Sequence, residues 1–397
     1  MGLIKETLES IKHRRQRILD GNVNCIESPF KRFSNDFVGI EQQTFYITTS
    51  FTKGSKTQFT SFTFIFESLL KAYYTKKFSF KTLYFPLEET PERITQRFMS
   101  YLLCKLSNNK IRVSPRELRS TKTALSQDVI DLLESEEYLN ILNFFEENVI
   151  FYTEGFNPTG IYKRCKQYAE ENGTTVRTPI EIEDEFGNTT TINKFVKYIP
   201  NNPNEYRLIV IDTINLIDLE KGLNKKQSID KMSEYIIKSL RDRYKFSIVA
   251  IQQQNTTTEN NDSVKLGRYT PSKSGLADST YTANDANIML GIFSPMKFGL
   301  REYMGYDITK FKDNIRFVTV ETNRDGEMGG SIALFFDGAT CQFFELPRPD
   351  DKEALEKVYK YLDNIRGKSN KIFLWFNKLK LFNGTTNKTK RSTKLQS

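Results

Sequence analysis

Short apolar runs alternate along the chain with longer segments in which apolar residues recur at helical spacing. The apolar runs indicate buried strands, and they lie at 44–49, 82–85, 149–152, 207–211, 247–251, 288–293, 315–321 and 331–336. The amphipathic segments predict helices at 3–20, 57–74, 91–106, 111–148, 158–172 and 228–244. Because strands and helices alternate, we predict an α/β fold with a mostly parallel central sheet flanked by helices. Ligands of such a sheet bind at the carboxyl ends of its strands.

Two segments interrupt this alternation. Between 176 and 199 the hydrophobic period changes to two around Phe186-Gly187-Asn188, which predicts an inserted β-hairpin. The segment 255–274 is long, polar and rich in Thr, Asn and Lys, which predicts a mobile loop.

The net charge of +9 is concentrated at one end of the chain. Residues 366–397 hold nine Lys and Arg and no Asp or Glu, so the remainder has 58 − 9 = 49 basic residues against 49 acidic ones. A basic tail suits a polyanionic partner, because each phosphate that it neutralises releases counterions. A solubilising, disordered end explains the tail equally well.

Histidine and cysteine usage excludes several kinds of chemistry. His13 is the single histidine, so catalytic triads and most zinc catalysis are excluded. The four cysteines form no Cys-x-x-Cys pair, which argues against a zinc site or a disulfide framework. No apolar run is long enough to span a bilayer and the first residues do not form a secretory signal, so we expect a cytoplasmic protein. Catalysis would have to use carboxylates, Lys and Arg.

A candidate phosphate-binding loop lies between the first predicted strand and helix. In the stretch Ser50 to Thr57, Lys56 could reach the β- and γ-phosphates of a nucleotide and Thr57 could contact Mg²⁺. The glycines usual in such a loop are replaced by Ser50 and Ser55, and Gly54 is displaced by one position. An ordinary solvated loop is therefore the alternative.

Carboxylates follow two further strands. Asp212 ends the apolar strand 207–211, where it could hold a Mg²⁺ hydration shell opposite the Thr57 hydroxyl. Glu88 and Glu89 follow the strand 82–85, and Glu88 could orient a water for attack on a γ-phosphate. For Glu89 we prefer the simpler interpretation that it caps the helix that begins at Pro91.

Two more strand ends offer polar side chains. Gln253 follows the strand 247–251 and could report the presence of a γ-phosphate to the polar loop behind it. Arg324 lies in a turn after the strand 315–321 and could reach the γ-phosphate of a neighbouring subunit as an arginine finger. A surface glutamine and a solvated hairpin arginine are the alternatives.

The order of these motifs resembles the C-terminal, RecA-like motor domain of DnaB-type replicative helicases. The resemblance covers about residues 27–346. Besides the strand and loop at 44–57, it is carried by LEET (87–90), IRVSPRELR (111–119), IVIDTINLI (209–217), the glutamine segment 249–255, LADSTYTANDANIMLGI (276–292) and TNRDGEMGG (322–330).

The resemblance implies an ATP hydrolase that uses ATP and Mg²⁺. Lys56 and Mg²⁺, held by Thr57 and Asp212, would offset the charge that develops during attack on the γ-phosphate. Glu88 would orient the attacking water, and Arg324 of the next protomer would complete the site. A site shared between protomers implies a homo-oligomer, and the family suggests a hexameric ring.

The resemblance also implies single-stranded DNA as the partner. Gln253 would couple the phosphate state to the loop, where Lys265, Arg268 and Lys273 could meet the DNA backbone. Primase and other replisome proteins are further partners to consider.

The sequence departs from the family in three respects. The P-loop glycines are replaced, Thr322 stands where the family commonly has a Lys, and we expect no N-terminal collar domain. The reduced layout suits a phage or mobile-element protein. We predict a linker or docking helix in 1–26, the motor domain in 27–346, a helical extension in 347–383 and a disordered basic tail in 384–397.

Two rival functions remain at this point. A RecA-like recombinase would use the same core but polymerise into an open filament. A non-catalytic nucleic-acid-binding protein would retain the fold with a decayed P-loop, for which Ser50 and Ser55 are the best support.

Overall fold

The computed structural model describes residues 2–183, 189–255 and 269–364. The chain divides into two compact units, each assembled from separate segments. Of the described residues, the first unit contains those in 1–90, 144–293 and 318–331, and the second contains those in 91–143, 294–317 and 332–364. The predicted hairpin tip, most of the predicted polar loop and the tail at 384–397 lie outside the described residues.

The strands are numbered in chain order. They are β1 Cys25–Glu27, β2 Gly39–Glu41, β3 Phe45–Ser50, β4 Ser79–Pro86, β5 Val149–Phe151, β6 Gly173–Glu183, β7 Thr189–Pro200, β8 Glu205–Asp212, β9 Ser247–Gln253, β10 Ile288–Phe293, β11 Glu302–Tyr303, β12 Tyr306–Asp307, β13 Ile315–Asn323, β14 Ser331–Asp337 and β15 Gln342–Glu345.

The α-helices are numbered in the same way. They are α1 Leu3–Leu19, α2 Lys56–Thr60, α3 Glu67–Thr75, α4 Pro91–Leu106, α5 Pro115–Leu118, α6 Gln127–Leu133, α7 Glu136–Asn148, α8 Pro158–Glu171, α9 Lys225–Tyr235, α10 Tyr281–Asp285, α11 Ile308–Phe311 and α12 Lys352–Asn364.

A parallel sheet forms the centre of the first unit. Its strands lie in the order β10-β3-β9-β8-β4-β5, every neighbouring pair is parallel, and β13 lies beside β10. The inner strands are almost wholly buried, as expected for strands covered by helices on both faces. The predicted α/β fold with a mostly parallel sheet is confirmed, and parallel pairing brings the carboxyl ends of β3, β4, β8 and β9 to one edge.

The helical segment after β3 differs from a simple α-helix. α2 and α3 are joined by a π-helical stretch, Ser61–Phe66, so the predicted helix at 57–74 runs without interruption but with a widened middle. Every residue of that stretch is buried. The apolar pattern predicted the extent of this segment but not its change of pitch.

The predicted inserted hairpin is present and is longer than predicted. β6 and β7 pair antiparallel from Gly173↔Pro200 to Glu183↔Thr189, with an irregular register between Val176 and Arg177. Its base is fixed by Tyr198, whose hydroxyl donates to the carbonyl of Ala169 at 2.8 Å. Beyond that base the strands are largely exposed, so the hairpin projects from its anchored end.

The segment 111–148, predicted to be helical, is helical only in part. The segment forms three helices, α5, α6 and α7, and residues 111–114 are not helical. Ser114 makes the predicted start of α5: its hydroxyl accepts from the N–H of Glu117, whose carboxylate accepts from the N–H of Ser114. The helical pattern located the first cap correctly but missed the breaks between the helices.

Two further features of the second unit bear on the predictions. β14 and β15 pair antiparallel, and α12 occupies part of the predicted extension at 347–383, of which 365–383 lie outside the described residues. Among the helices that the structure describes, none has the length and apolar character needed to cross a membrane.

Candidate nucleotide site

The candidate P-loop connects the buried end of β3 to the start of α2 within the first unit. Gly54 lies within this loop and donates its N–H to the carbonyl of Phe51 at 3.0 Å. A Cβ at position 54 would be 2.6 Å from Ser50 Oγ and 2.9 Å from the Phe51 oxygen. Position 54 therefore has room only for glycine, which accounts for the one glycine retained in this loop.

Ser55 has the backbone conformation that glycine usually takes. Its φ of 70° and ψ of 24° lie in the left-handed region, immediately before the first residue of α2. A left-handed residue with a side chain costs roughly 1–2 kcal/mol. The loop thus keeps its left-handed turn without the glycine, at the expense of strain.

Lys56 and Glu88 lie next to each other at the carboxyl edge of the sheet. Lys56 is buried, and its Nζ is 3.8 Å from Oε2 of Glu88, whose side chain is 40% exposed. The N–H of Glu88 also donates to the carbonyl of Asp212 at 3.0 Å, which ties the residues after β4 to the end of β8. A cation, a carboxylate open to solvent and a strand end therefore meet at one place.

Asp212 is fully buried between Thr57 and Tyr84. The Thr57 hydroxyl donates to Asp212 Oδ1 at 3.1 Å and the Tyr84 hydroxyl donates to Oδ2 at 2.8 Å. Burial raises the pKa of Asp212 to about 6, and Glu88 and Glu89 act in the same direction, while the two hydrogen bonds act against it. A cation beside this carboxylate would offset the cost of its buried charge.

The sequence did not predict the contact of Tyr84 with Asp212. Tyr84 lies on β4 two residues before Pro86, which pairs with Asp212 in the parallel register of β4 and β8. A tyrosine near the end of an apolar strand was the available signal, but its partner is visible only once the strand order is known.

Whether the site fits a metal ion depends on the side-chain oxygens of Thr57 and Asp212. Over residues 2–183, 189–255 and 269–364, no group of three or more Asp, Glu, Cys or His side chains is placed to bind a metal ion together. Thr57 and Asp212 supply one hydroxyl and one carboxylate, which suits a cation that keeps waters and substrate phosphates as its other ligands.

Gln253 lies beside the candidate P-loop strand, since it pairs with Ser50 in the register of β9 and β3. Its N–H donates to Asn215 Oδ1 at 2.8 Å, and its side chain is partly exposed. Its position is compatible with the predicted role, which stays a prediction.

Arg324 contacts a different part of the first unit. Its N–H donates to the carbonyl of Asn287 at 3.0 Å, and its exposed guanidinium donates to the carbonyl of Asn284. Arg324, which follows β13, therefore packs against the segment that leads from α10 into β10. An arginine that acts on a neighbouring protomer needs no contact with Lys56 of its own chain.

The predicted DNA-contacting residues are only partly described. Lys273 is exposed at the start of a 3₁₀ turn, Lys273–Gly275. Lys265 and Arg268 lie outside the described residues.

Residues 159–345 match the model of the DnaB-like helicase C terminal domain family. The chain has the RecA-like fold of a DnaB motor domain. The matched range includes Asp212, Gln253 and Arg324, whereas the candidate P-loop and Glu88 precede it. The predicted resemblance to DnaB-type helicases is therefore confirmed.

Two solved structures share this DnaB fold. One is described as the structure of a DnaB-like replicative helicase and its interactions with primase; it is 15% identical with a TM-score of 0.58, over 86% of this chain and 67% of that chain. The other is described as an ATPase domain, and it is 15% identical with a TM-score of 0.59, over 87% of this chain and 100% of that chain. Among curated proteins, none matches the sequence.

Proposed function

We propose that this protein is an ATP-dependent DNA helicase or translocase of DnaB type, which hydrolyses ATP at the subunit boundaries of a ring on single-stranded DNA. The observation that carries the proposal is the convergence of Lys56, Thr57, Glu88 and Asp212 at one edge of the parallel sheet. Thr57 and Asp212 are 155 positions apart in sequence. The edge at which the four residues meet is where doubly wound α/β sheets bind their ligands.

The residues present fit a nucleotide with Mg²⁺. Gly54 lets the loop backbone turn closely past Ser50 and Phe51, and Lys56 at the start of the helix supplies positive charge. Thr57 and Asp212 would hold the metal ion, which withdraws charge from the phosphates when it is bound.

Each of the chain's own residues would have a separate role in ATP hydrolysis. Lys56 would leave its contact with Glu88 and stabilise charge on the phosphates, and Glu88 would then be available to orient a water. Tyr84 and Thr57 each donate a hydrogen bond to one oxygen of Asp212, which fixes the orientation of its carboxylate. Arg324 would complete the site from the next protomer, which requires a homo-oligomer such as the hexameric ring.

The proposed partner is single-stranded DNA. Lys273, Lys265 and Arg268 would bind its phosphates, and each contact would add to the salt dependence of affinity. One structural neighbour is described in terms of its interactions with primase, which makes a primase a reasonable partner to test. We propose that the protein acts in the cytoplasm, that of the host if it is phage-encoded.

ATPase turnover with and without single-stranded DNA tests the proposal. We expect DNA to stimulate turnover in the wild type, and Lys56→Ala, Glu88→Gln and Arg324→Ala each to lower it by about 10²-fold or more. Glu89→Gln is the matched control for Glu88→Gln, since it removes the adjacent carboxylate, and it should stay within about threefold of wild type.

Two outcomes would favour the rival functions. Wild-type protein without ATPase activity, unchanged by Lys56→Ala, would favour a non-catalytic nucleic-acid-binding protein. Open filaments rather than closed rings in electron micrographs, recorded with ATP and single-stranded DNA, would favour a recombinase-like protein.

A further inference from the structure

Gln252 and Gln253 end β9, and Gln254 follows directly as an isolated bridge residue, so the three side chains point in alternating directions. Gln252 and Gln254 are buried, with 0% and 2% of their surface exposed, whereas Gln253 is partly exposed. A buried amide must find hydrogen-bond partners, and both of the buried ones do so.

Gln254 uses its amide to join two separate segments. Its Nε2 donates to the hydroxyl of Thr49 at 3.0 Å and to the carbonyl of Ser272 at 3.0 Å. Its Oε1 accepts from the N–H of Ser272 at 3.1 Å. The side chain therefore binds both backbone groups of one residue and, at the same time, the side chain of another.

The two partners of Gln254 belong to the parts of the chain that the proposed function has to connect. Thr49 lies on β3 one residue before Ser50, where the candidate P-loop begins. Ser272 lies at the far end of the polar segment that starts at Asn255. Gln254 thus joins the end of that segment to the strand that carries the P-loop.

The surrounding backbone leaves space for the side-chain amide of Gln254. Gln254 forms an isolated antiparallel bridge with Leu276, and the N–H of Asn255 donates to the carbonyl of Gly275 at 2.7 Å. A Cβ at position 275 would collide with Oε1 of Gln254, so Gly275 leaves the space that the amide occupies. Both ends of the segment between Asn255 and Ser272 are consequently held at one point.

Gln252 makes contacts of the same kind with other partners. Its Nε2 donates to the carbonyls of Ala277 and Ser279, and its Oε1 accepts from the Thr282 hydroxyl. Neither Thr49 nor Ser272 is among them. It is therefore a close control for Gln254, since it is equally buried and only two residues away.

We propose that Gln254 is a positioning residue that couples the nucleotide state of β3 to Ser272, beside the proposed DNA contact Lys273, through its contacts with Thr49 and Ser272. The inference rests on the proposed function and adds to it a second glutamine beside Gln253. An amide has fixed donor and acceptor directions, so a shift of β3 must either move Ser272 with it or break a buried hydrogen bond.

Amide hydrogen exchange in nucleotide-free protein tests the contact itself. In Gln254→Leu we expect the Ser272 amide to exchange at least about tenfold faster than in wild type, because its N–H loses Gln254 Oε1 as acceptor. Gln252→Leu should leave the Ser272 amide close to wild type. Unchanged exchange in Gln254→Leu would overturn the proposal, whatever the activity of the protein.

The affinity for single-stranded DNA tests the coupling. We expect the ratio of Kd with ADP to Kd with a non-hydrolysable ATP analogue to be about 5–150 in wild type, the usual range of allosteric coupling. It should fall to within about twofold of one in Gln254→Leu and remain in Gln252→Leu. Thr49→Val, which keeps the Ser272 contacts, should lower the ratio without changing exchange at Ser272.

The remaining outcomes separate the two proposals. A wild-type ratio in Gln254→Leu or in Thr49→Val would overturn the coupling and leave the proposed function standing. Wild-type protein that binds no ATP analogue would overturn the proposed function and the coupling together, while the exchange experiment would still report on the contact. Thr49→Val also serves if Gln254→Leu fails to fold, since it removes a single hydroxyl.

Discussion

Glu321 should make the folded protein less stable as the pH rises. It lies on β13 three residues before Arg324, and its side chain is packed against the backbone of β10, where a Cβ on Gly291 would be 3.0 Å from its Oε1. Burial raises the pKa of Glu321 from 4.5 to about 7. Between these two pH values the folded protein binds more protons than the unfolded chain, so its stability falls as the pH rises.

The size of the effect follows from the pKa shift. A change from 4.5 to about 7 corresponds to about 3 kcal/mol at 1.36 kcal/mol per pH unit. Because the side chain is partly exposed, we expect about half of this, about 1–2 kcal/mol. Glu321→Gln should therefore be more stable than wild type by about 1–2 kcal/mol at pH 8, and the gain should disappear as the pH falls toward 4.5.

Urea unfolding, followed by circular dichroism at several pH values between about 4.5 and 8, measures this difference. Glu327→Gln removes an exposed carboxylate from the neighbouring turn and controls for the change in net charge. The reasoning is refuted if Glu321→Gln is no more stable than wild type at pH 8, or if its advantage is the same at every pH.

Three further predictions concern the site and the assembly. Tyr84→Phe removes one hydrogen bond to Asp212, so the Mg²⁺ concentration for half-maximal ATPase should rise about two- to tenfold with little change in ATP affinity; unchanged Mg²⁺ dependence would contradict this. Mixing Arg324→Ala with Lys56→Ala should restore part of the ATPase, since mixed rings contain boundaries with both residues intact; two inactive variants that stay inactive when mixed would argue against an arginine acting between subunits. Leu8 is 52% exposed on α1, the predicted docking helix. Leu8→Glu should therefore weaken self-association, measured by analytical ultracentrifugation, and lower the stability of the fold by less than about 0.5 kcal/mol.

The sequence predicted the parts of the molecule that depend on local pattern. Apolar runs located the central strands, and the position of Asp212 and Glu88 after two of them was enough to predict that they meet at one edge. The breaks within 111–148 were missed, because separate short helices and one long helix share the same apolar period.

The contacts made by Tyr84 and Gln254 could not be predicted in the same way. Each joins residues that are distant in sequence, Tyr84 with Asp212 and Gln254 with Thr49. Which strand is the neighbour of which is a property of the whole sheet. A sequence shows that a tyrosine or a glutamine lies near the end of a strand, but its partner follows only from strand order and register.

Glycine is used in a P-loop for two different reasons, and in this chain they apply at two different positions. At position 54 the neighbouring atoms exclude any side chain, whereas at position 55 only the backbone angles favour glycine, and a serine adopts them. A P-loop can therefore lose some of its usual glycines and still keep the same backbone conformation. Related motors that have diverged this far are better sought by a lysine and a hydroxyl residue after a buried strand than by counting glycines.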